Sequence, residues 1–565
     1  MGKFLDKKYR NFSAYIPGEQ PSGKEYIKLN TNESPFDPSC RAIIEGKKNI
    51  RRLNLYPDPN MAELKKAFGN VFAVPEENLV FTNGSDEILN FIFMSLCENG
   101  IIFPSVTYGL YPILAKLYGV KYEEIPMDSD FIISVDAFNQ EEYKDKTVIL
   151  ANPNSPTGRA LGEEDIRRLL DYSSNRLVVI DQAYSGFGSF DSKKLVGEYE
   201  NLLITGTFSK GMGFAGGRLG YGIGDTALIK DLDMIRFSVN PYNVNSLTEA
   251  IGLGILRDYE YVENNNALIK SVREWTSEEL IKAGFKVIPS ESNFVFAKSE
   301  KIGGRELYEK LKEQGILVRH FSKGEIEDYI RITIGKPESM ETFIKTIRGI
   351  LNMDQGNVKY LYKNERLCNG KRFAEMERNT LETQVRVYVA LDGTGEANVD
   401  TGIGFMDHML TLFARYSGFD LYIKSRGDLY VDGHHSVEDI GIVLGKVIAK
   451  ALGDKRGILR YGSCNMVMDE ALVMTAVDLS GRFSLSYKEE IKVEKIGDLQ
   501  VELLKEFFKA FAENLRASIH IRQIEGENSH HIVEGMFKSL GKSMKEATRI
   551  NQNDNRIMSA KGVLE

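Results

Sequence analysis

The sequence of 565 residues has little of what marks several common classes of protein. Its four cysteines are scattered without a CxxC pair, which argues against a disulfide framework or a zinc knuckle and fits a reducing compartment. No apolar run approaches the roughly 20 residues of a membrane span, and the amino terminus MGKFLDKKYR has no apolar signal region. A formal net charge of −8 leaves no basic excess for nucleic acid. We therefore expect a soluble, cytoplasmic protein that binds neither nucleic acid nor membranes.

The length and the distribution of histidine both indicate more than one domain. A chain of 565 residues is too long for a single hydrophobic core, so two or more domains are expected. Of the seven histidines, His320 alone lies in the first 400 residues. The other histidines are His408, His434, His435, His520, His530 and His531. Because histidine is a common transition-metal ligand, this uneven use indicates that the two halves do different chemistry.

The first half alternates apolar strand-like runs with helix-like segments over residues 75–350. Runs such as TVILANP and RLVVID, each followed by a longer amphipathic segment, predict a mostly parallel sheet covered by helices. From 276 to 350, shorter strands around NFVFAK and YIRITIG indicate a smaller second lobe. The pattern lapses into polar sequence at about 353–370. We interpret that stretch as a linker between domains at 1–352 and 371–565.

The second half repeats itself. HHSVEDIGIVLGKVIAKALGD begins at residue 434, HHIVEGMFKSLGKSMKEAT begins at residue 530, and both contain HHxVE followed by LGK in the same register. An isolated histidine, His408 or His520, precedes each copy. TQVRVYVALDG alternates as a half-buried strand, and HMLTLFARY and GIVLGKVIAKAL have helical patterns. The pattern predicts two copies of one α+β unit related by a pseudo-twofold axis.

Three motifs of the first half point to a phosphate-bearing cofactor. FTNGSDE places Ser85 and Asp86 after a strand and at the start of a helix, where free N–H groups can hold a phosphate. DQAY places Asp181 at the carboxyl end of a strand, where α/β sheets bind ligands. TFSKGMGFAGGRLGYGIG puts Lys210 on a glycine-rich turn, with Arg218 eight residues later. A lysine for an aldehyde, a carboxylate for a ring nitrogen and a phosphate cradle are what pyridoxal phosphate requires.

The ordered set resembles the fold-type I aminotransferases and, more narrowly, the histidinol-phosphate aminotransferase family over about 1–352. LNTNESP, LYPDP, PSVTYGLY, SNFVF, GILVR and YIRITIG are also similar to that family. The resemblance implies an α/β fold with a large parallel-sheet lobe and a small α+β lobe. It implies that Lys210 binds the cofactor covalently, that Asp181 pairs with the ring nitrogen, and that Tyr184 bonds the phenolic oxygen.

The same resemblance implies further roles. Tyr108 would stack on the cofactor ring, and Tyr56 would reach the cofactor phosphate from the other subunit of a dimer. Arg319 and Arg331 would bind the phosphate of the substrate, a task suited to forked guanidinium donors. The implied ligands of the cofactor phosphate are Ser85, Asp86, Thr207, Ser209 and Arg218.

One departure affects the cofactor site. The family usually has asparagine immediately before PTG, bonded to the phenolic oxygen, whereas this chain has Ser155 there and Asn154 one position earlier. Either Asn154 takes the role through a shifted turn, or the spectrum of the cofactor is altered. A related phosphate-recognising decarboxylase of the same fold stays open as an alternative.

The doubled HHxxE motif predicts a metal centre in the second half. On a helix, His434 and Glu438 share a face and can bind one ion, whereas His435 is turned by about 100° and points to another. His530, Glu534 and His531 repeat that arrangement. With His408 and His520, there are enough ligands for two sites of four. The chemistry favours manganese, iron or zinc over calcium or magnesium, in a binuclear site or in sites shared between subunits.

These residues resemble the imidazoleglycerol-phosphate dehydratase family over about 372–565, through TGIGFMDHML, GDLYVDGHHSVEDIGIVLG, GILRYGS, MDEAL, DLSGR, HHIVEGMFK and SAKG. The resemblance implies two manganese ions per domain and a 24-subunit shell with metal sites at the interfaces. It implies that Glu382 lines the site and that Glu438 or Glu534 transfers a proton. The implied binders of the substrate phosphate are Arg460, Arg482, Ser559 and Lys561.

Together the two resemblances imply successive steps of histidine biosynthesis. Imidazoleglycerol phosphate would be dehydrated to imidazole acetol phosphate, which would then be transaminated with glutamate to L-histidinol phosphate and 2-oxoglutarate. Two other classes stay open for the second half. It could be an inert metal-dependent assembly domain, although such a domain needs no phosphate-binding arginines. It could instead be a zinc hydrolase, which would have one three-ligand site rather than a repeat.

Overall fold

The computed structural model describes residues 3–10, 12–16, 18–20, 26–354, 358–360, 372–551 and 556–559. The chain divides into two compact units, Met1–Leu367 and Cys368–Glu565. The division falls inside the segment interpreted as a linker, 353–370, most of which lies outside the described residues. No helix in the described part of the chain is long and apolar enough to cross a membrane.

The first unit contains thirteen strands and eleven helices within the described residues. The strands are β1 Ile27–Lys28, β2 Leu79–Thr82, β3 Ile101–Pro104, β4 Tyr122–Ile125, β5 Thr147–Ala151, β6 Val178–Asp181, β7 Leu202–Thr207, β8 Gly220–Gly224, β9 Phe285–Ile288, β10 Phe294–Ser299, β11 Ile316–Leu317, β12 Arg319–His320 and β13 Ile330–Thr333. The helices are α1 Cys40–Asn49, α2 Ala62–Phe72, α3 Ser85–Ser95, α4 Tyr111–Tyr118, α5 Val135–Phe138, α6 Glu163–Asp171, α7 Thr226–Val239, α8 Ser246–Arg257, α9 Tyr259–Lys282, α10 Gly304–Glu313 and α11 Pro337–Ile350.

The main sheet has seven strands in the order β2-β8-β7-β6-β5-β3-β4. Strand β8 runs antiparallel to both neighbours, and all other neighbouring pairs are parallel. Along β6, Val178 and Ile180 enter one hydrophobic core while Val179 enters another, so both faces of the sheet are covered. This double burial explains the continuous apolar runs, because neither face of the strand meets water. The predicted parallel sheet is confirmed.

A smaller antiparallel sheet, in the order β12-β13-β10-β9, forms the second lobe of this unit. Arg319 of β12 lies directly opposite Arg331 of β13 in the ladder. Directly opposite residues of neighbouring strands project from the same face of a sheet. The register therefore puts the two arginines on one face, which their sequence separation alone does not specify.

The second unit contains ten strands and four helices within the described residues. The strands are β14 Phe373–Asn379, β15 Thr383–Ala390, β16 Ala397–Asp400, β17 Asp420–Gly427, β18 Tyr461–Met468, β19 Ala471–Asp478, β20 Ser484–Lys488, β21 Lys495–Ile496, β22 Leu499–Gln500 and β23 Ser518–Glu525. The helices are α12 Gly404–Ser417, α13 His434–Leu452, α14 Glu502–Leu515 and α15 Ser529–Thr548.

The two halves of this unit have the same topology. Their sheets follow the orders β14-β15-β17-β16 and β18-β19-β23-β20. In each sheet the first two pairings are antiparallel and the last is parallel. One hydrophobic core joins both halves. The predicted duplication is confirmed, and α13 and α15 correspond to each other with HHxxE in their first turns.

The isolated histidines do not correspond between the two halves. His408 lies in α12, whose counterpart is α14, whereas His520 lies in strand β23, whose counterpart is β17. The repeat therefore preserves the fold and the paired histidines but not the remaining histidine ligands. After a domain has been duplicated, the two halves can keep the same packing while their metal-ligating histidines diverge.

The packing of α15 on β18 gives a test of this fold. A Cβ atom on Gly462 would lie 2.0 Å from the carbonyl oxygen of Ser543 and 2.8 Å from the nitrogen of Ala547. We expect Gly462→Ala to destabilise the second unit by about 1–3 kcal/mol, because the helix must move away from the strand. Thermal unfolding of the metal-loaded protein measures this. Gly303→Ala is the control, since its Cβ meets nothing within 4 Å. An unchanged second-unit transition in Gly462→Ala would contradict the packing.

Candidate active sites

A cavity of about 410 Å³ lies at the carboxyl ends of β3, β5, β6 and β7. This is the edge at which parallel sheets bind ligands, because the strands end there and loops replace them. Most of the residues predicted for the first site line it: Ser85, Asp86, Tyr108, Asp181, Tyr184, Thr207, Ser209, Lys210, Arg218, Arg319 and Arg331.

Lys210 reaches this cavity from the turn after β7. Its Nζ donates a hydrogen bond to the carbonyl oxygen of Thr31 at 2.9 Å. Burial lowers the pKa of the amine, and the nearby Tyr184 opposes that effect only in part. A lowered pKa leaves more of the amine neutral, which is the form that attacks an aldehyde carbon.

Asp181 ends β6 and is buried in the cavity wall. Its carboxylate accepts hydrogen bonds from the hydroxyl of Tyr111 at 2.7 Å and from the backbone N–H of Ala183 at 3.3 Å. Burial raises the pKa of this carboxyl group to about 6. A buried carboxylate of this kind is stabilised by a cation such as a protonated pyridine nitrogen.

The first turn of α3 and Arg218 form a cradle for an anion. Gly84 precedes the helix with a φ of 76°, and a Cβ there would lie 2.4 Å from Nη2 of Arg218. Glycine therefore lets the guanidinium approach the helix end, where N–H groups and the helix dipole favour negative charge. Arg218 also donates to Oγ of Ser209 at 3.3 Å. This donor set fits the phosphate of pyridoxal phosphate.

Asp86 and Tyr108 hold each other in the same cradle. The hydroxyl of Tyr108 donates to Asp86 at 3.1 Å, and Arg218 donates to the other carboxylate oxygen at 3.3 Å. The carboxylate of Asp86 is therefore engaged with side chains, which leaves its backbone N–H as the group suited to a phosphate. The ring of Tyr108 contacts Tyr15 and Tyr111 edge to face, with centroids 6.0 and 5.6 Å away.

Tyr184 has a partner that sequence reasoning missed. The Nδ2 of Asn32 donates to the hydroxyl oxygen of Tyr184 at 2.9 Å. Asn32 has a φ of 55°, a left-handed conformation that asparagine tolerates better than most residues. Asn32 belongs to the motif LNTNESP, in which nothing local indicates a contact with Tyr184.

Asn154 and Ser155 take different positions in the turn after β5. The Asn154 side chain is buried, accepts from the hydroxyl of Thr107 at 2.8 Å, and donates to the carbonyl of Val106 and to Thr157, both at 2.9 Å. These hydrogen bonds engage both the oxygen and the nitrogen of the Asn154 amide and stabilise the turn. Ser155, in contrast, lines the cavity.

Arg331 is a partly buried guanidinium in the same cavity. It donates to Oγ of Ser155 and to the carbonyl of Asn30, both at 3.1 Å, and its Nε is buried without a partner. Burial lowers its pKa. Arg331 forms no ion pair with any residue that the structure describes. A buried cation without a carboxylate is the arrangement that an anionic ligand completes.

Tyr56 lies away from this cavity. Its side chain is 81% exposed and stacks on Tyr242, with ring centroids 4.4 Å apart. An exposed aromatic pair of this kind is suited to an interface with another protein surface.

In the second unit, α12 and α15 bring together one group of metal-ligand type. The Oε2 atom of Glu534 lies 3.1 Å from Nε2 of His530 and 3.8 Å from Nε2 of His408. Burial raises the pKa of Glu534, but the hydrogen bond and charge of Lys538, together with His530 and His408, outweigh it, so the pKa falls below its ordinary value. An ionised carboxylate with two imidazoles is a donor set for a first-row metal.

The second histidine of each HHxxE motif is oriented by a carboxylate. Nδ1 of His435 lies 3.1 Å from Asp428, and Nδ1 of His531 lies 2.8 Å from Glu470. Metal-ligating histidines commonly bond a carboxylate through the nitrogen that does not bind the ion. In both halves of the repeat, a carboxylate therefore contacts Nδ1 of the second histidine of the motif.

The remaining predicted ligands are not assembled within one chain. His434, Glu438 and His520 are exposed. Among the residues for which positions are described, they do not form a second group like that of His408, His530 and Glu534. A complete second site would need ligands from elsewhere.

Arg460, one of the predicted phosphate binders, is held by several side-chain hydrogen bonds. Its guanidinium donates to both carboxylate oxygens of Asp478, at 2.7 and 3.1 Å, and to the carbonyl of Met558 at 2.7 Å. These contacts place it against the segment that contains Ser559. Lys561 lies outside the described residues.

Arg482 and Glu382 are more exposed. Arg482 follows the loop after β19, and only its backbone bonds to Ser480. Glu382 lies in the turn between β14 and β15, with a carboxylate oxygen 3.9 Å from Nδ1 of His435. The structure therefore brings Glu382 to the histidine that is not in the assembled group.

The buried carboxylate gives a pH-dependent prediction. Because the native pKa of Asp181 is raised to about 6, cofactor-free protein should lose stability as pH rises from the unfolded value through about 6. Asp181→Asn should abolish that loss, a relative gain of up to about 3 kcal/mol between acidic and mildly alkaline pH. Urea unfolding of the cofactor-free first unit measures it. The exposed Asp145→Asn is the control. Identical pH slopes in Asp181→Asn and wild type would contradict the raised pKa.

Comparison with known families agrees with both sites. The family model described as aminotransferase class I and II matches residues 24–347. The family model described as imidazoleglycerol-phosphate dehydratase matches residues 401–544. The first match covers most of the first unit and more than half of the chain.

Individual relatives narrow the first unit further. A histidinol-phosphate aminotransferase of Brachyspira hyodysenteriae is 40% identical over 357 residues, which cover 62% of this chain and 99% of that protein. The crystal structure of the histidinol-phosphate aminotransferase from Clostridium acetobutylicum has a TM-score of 0.54 at 28% identity, covering 58% of this chain and 99% of that one. That from Sinorhizobium meliloti in complex with pyridoxal-5'-phosphate has a TM-score of 0.57 at 21% identity, covering 62% and 99%. The chain belongs to the class I and II aminotransferases, as a histidinol-phosphate aminotransferase fused to an imidazoleglycerol-phosphate dehydratase domain.

Proposed function

We propose that the two units of this bifunctional histidine-biosynthesis enzyme catalyse successive reactions. The second unit dehydrates imidazoleglycerol phosphate to imidazole acetol phosphate, and the first transaminates that product with glutamate to L-histidinol phosphate. The observation that carries the proposal is the partly buried Arg331, which has no carboxylate partner among the described residues and shares a cavity with Lys210 and Asp181. A cofactor alone would provide partners for Lys210 and Asp181 but no anion for Arg331.

In the first unit, each side chain has a task that its surroundings support. Pyridoxal phosphate, when bound, supplies a ring that accepts the electrons released at the substrate carbon. Asp181 holds a proton on the ring nitrogen, and Nζ of Lys210 carries the proton moved during the reaction. Tyr184, fixed by Asn32, donates to the phenolic oxygen. The first turn of α3, Ser209 and Arg218 hold the phosphate.

Substrate selection rests on the two arginines on one face of the small sheet. Arg319 and Arg331 line the cavity opposite the strand ends and would bind the phosphate of imidazole acetol phosphate. The hydroxyl of Ser155 and the carbonyl of Asn30 hold Arg331 in place. The alternative of a decarboxylase loses support, since the relatives of the first unit are histidinol-phosphate aminotransferases.

In the second unit we propose two first-row metal sites, occupied by manganese. His408, His530 and Glu534 would hold one ion, and the other ligands would complete sites with residues of neighbouring subunits. A bound ion supplies a Lewis acid that stabilises negative charge on the imidazole of the substrate. Glu534, kept ionised by Lys538, suits a ligand, and the exposed Glu438 suits proton transfer.

The proposal includes self-association through both units. A set of exposed apolar side chains that includes Tyr56 would form the contact of an aminotransferase dimer. They are Ile50, Leu53, Leu55, Tyr56, Met234, Phe237, Val239 and Tyr242. The dehydratase unit would form a 24-subunit shell whose interfaces complete the metal sites, which a single chain leaves divided.

The two activities should be separable. Exhaustive chelation should stop dehydration, because the metal is withdrawn, and should leave transamination intact. His434→Ala should act like chelation. Lys210→Ala should abolish the visible absorbance of the cofactor and transamination while metal content and dehydration are retained. Separate assays with imidazoleglycerol phosphate and with imidazole acetol phosphate plus glutamate test this. Joint loss of both activities on chelation, at constant cofactor content, would sink the proposal of independent sites.

Replacement of Arg331 should weaken use of the phosphorylated substrate. Arg331→Gln removes a charge-assisted contact, so kcat/KM for imidazole acetol phosphate should fall at least tenfold, equivalent to about 1.5–3 kcal/mol. Arg305→Gln is the matched control, because that arginine is exposed and does not line the cavity. Steady-state kinetics measure both. An unchanged kcat/KM in Arg331→Gln would remove Arg331 from substrate binding.

A further inference from the structure

A second cavity, of about 290 Å³, lies in the first unit behind the catalytic cavity. One wall is a face of α9, where Glu263, Asn266 and Lys270 follow one another at helical spacing. Ala183 and Thr207 line both cavities. None of the roles argued above for cofactor, substrate or metal uses the α9 face.

Asn266 presents an unused acceptor in this cavity. The residue is 5% exposed, and its Oδ1 is buried with no hydrogen-bond partner among the residues that the structure describes. Cβ atoms on Gly186 and Gly211 would lie only 2.7 and 3.1 Å from its Nδ2, so the amide is closely held by two backbone segments. Buried polar groups are nearly always paired, and a persistent exception points to a ligand or a bound water.

The same face carries one cation and one anion without ion-pair partners. Lys270 is half-buried, burial lowers its pKa, and it forms no ion pair with a residue of the described ranges. Glu263 lies two turns before it and is likewise unpaired within those ranges. On another wall, Lys193 already pairs with Asp191 at 2.7 Å. The free groups of the cavity are therefore one positive charge, one negative charge and one buried acceptor.

We infer that this cavity binds a free α-amino acid. Its carboxylate would pair with Lys270, and its ammonium would donate to Oδ1 of Asn266 and to Glu263. A zwitterion satisfies all three groups at once. A phosphate or another simple anion would instead face the carboxylates of Glu263 and Asp191, and a simple cation would leave Lys270 unpaired.

Binding there would be detectable at the cofactor. The backbone N–H of Ala183 donates to Asp181, and the hydroxyl of Thr207 donates to Ser209. An occupant of the second cavity would contact these two residues, which line both cavities. The ultraviolet absorbance of the cofactor after reduction on Lys210 is therefore a second readout of occupancy.

The test uses holoenzyme reduced with borohydride, which fixes the cofactor on Lys210 so that an added amino acid cannot react. Calorimetric titration with glycine, L-glutamate and L-histidine should reveal binding by at least one of them. Lys270→Met and Asn266→Leu should each weaken it at least about tenfold, since each removes a charged or polar contact. Lys282→Met is the matched control, because that exposed lysine lies on α9 and does not line the cavity.

Arg331→Gln separates the two cavities, because it removes one of the two arginines assigned to the substrate in the catalytic cavity and none of the groups of the second one. Binding that survives in Arg331→Gln but weakens in Lys270→Met supports the inference. Binding lost in Arg331→Gln but kept in Lys270→Met places the amino acid in the catalytic cavity and overturns it. Absence of binding at millimolar concentration, or binding of inorganic phosphate in preference to every amino acid, also overturns it. Lys270→Met could misfold, which would appear as loss of the cofactor absorbance before reduction. In that case the result with Asn266→Leu decides between the two outcomes, because Oδ1 of Asn266 makes no hydrogen bond among the described residues.

Discussion

A parallel sheet buried on both faces leaves polar groups only one place to meet, the edge where its strands end. Strands β5 and β6 send alternate side chains into two cores, so their functional residues are confined to their last positions and the following turns. The buried Asp181 and the partly buried Lys210 and Arg331 all line the cavity at that edge. Within the chain, burial shifts each pKa toward the neutral form. Ligands that restore these charges gain binding energy from groups that are unfavourable without them.

In the second unit the constraint is the geometry of consecutive histidines on a helix. The first histidine of the pair and the glutamate share a face, and the second histidine faces elsewhere. His530 and Glu534 therefore meet His408 across two packed helices, while His531 and His435 are each held by a separate carboxylate. Each HHxxE motif therefore directs its two histidines to different surroundings.

The elements could be predicted from the sequence because their signals are local. Buried strands, the glycine before α3 and the doubled HHxxE all lie within short windows. The contacts that could not be predicted join residues far apart in the chain. They are Asn32 with Tyr184, Tyr111 with Asp181, and the strand pairing that places Arg319 opposite Arg331. Such contacts depend on how lobes and strands pack, which no local pattern encodes. The position of His520 on a strand was likewise outside what spacing can reveal.

Fusion has a consequence that follows from stoichiometry alone. Each unit has its own hydrophobic cores, and no residue argued for one site comes from the other unit. Every chain therefore carries the residues of one aminotransferase site and of one dehydratase unit, whatever the size of the assembly. The compound released by the second unit is the one that the first consumes. Synthesis of a single chain fixes the ratio of the two units at one to one. The ratio of the two activities then depends on their turnover rates and not on the expression of two separate proteins.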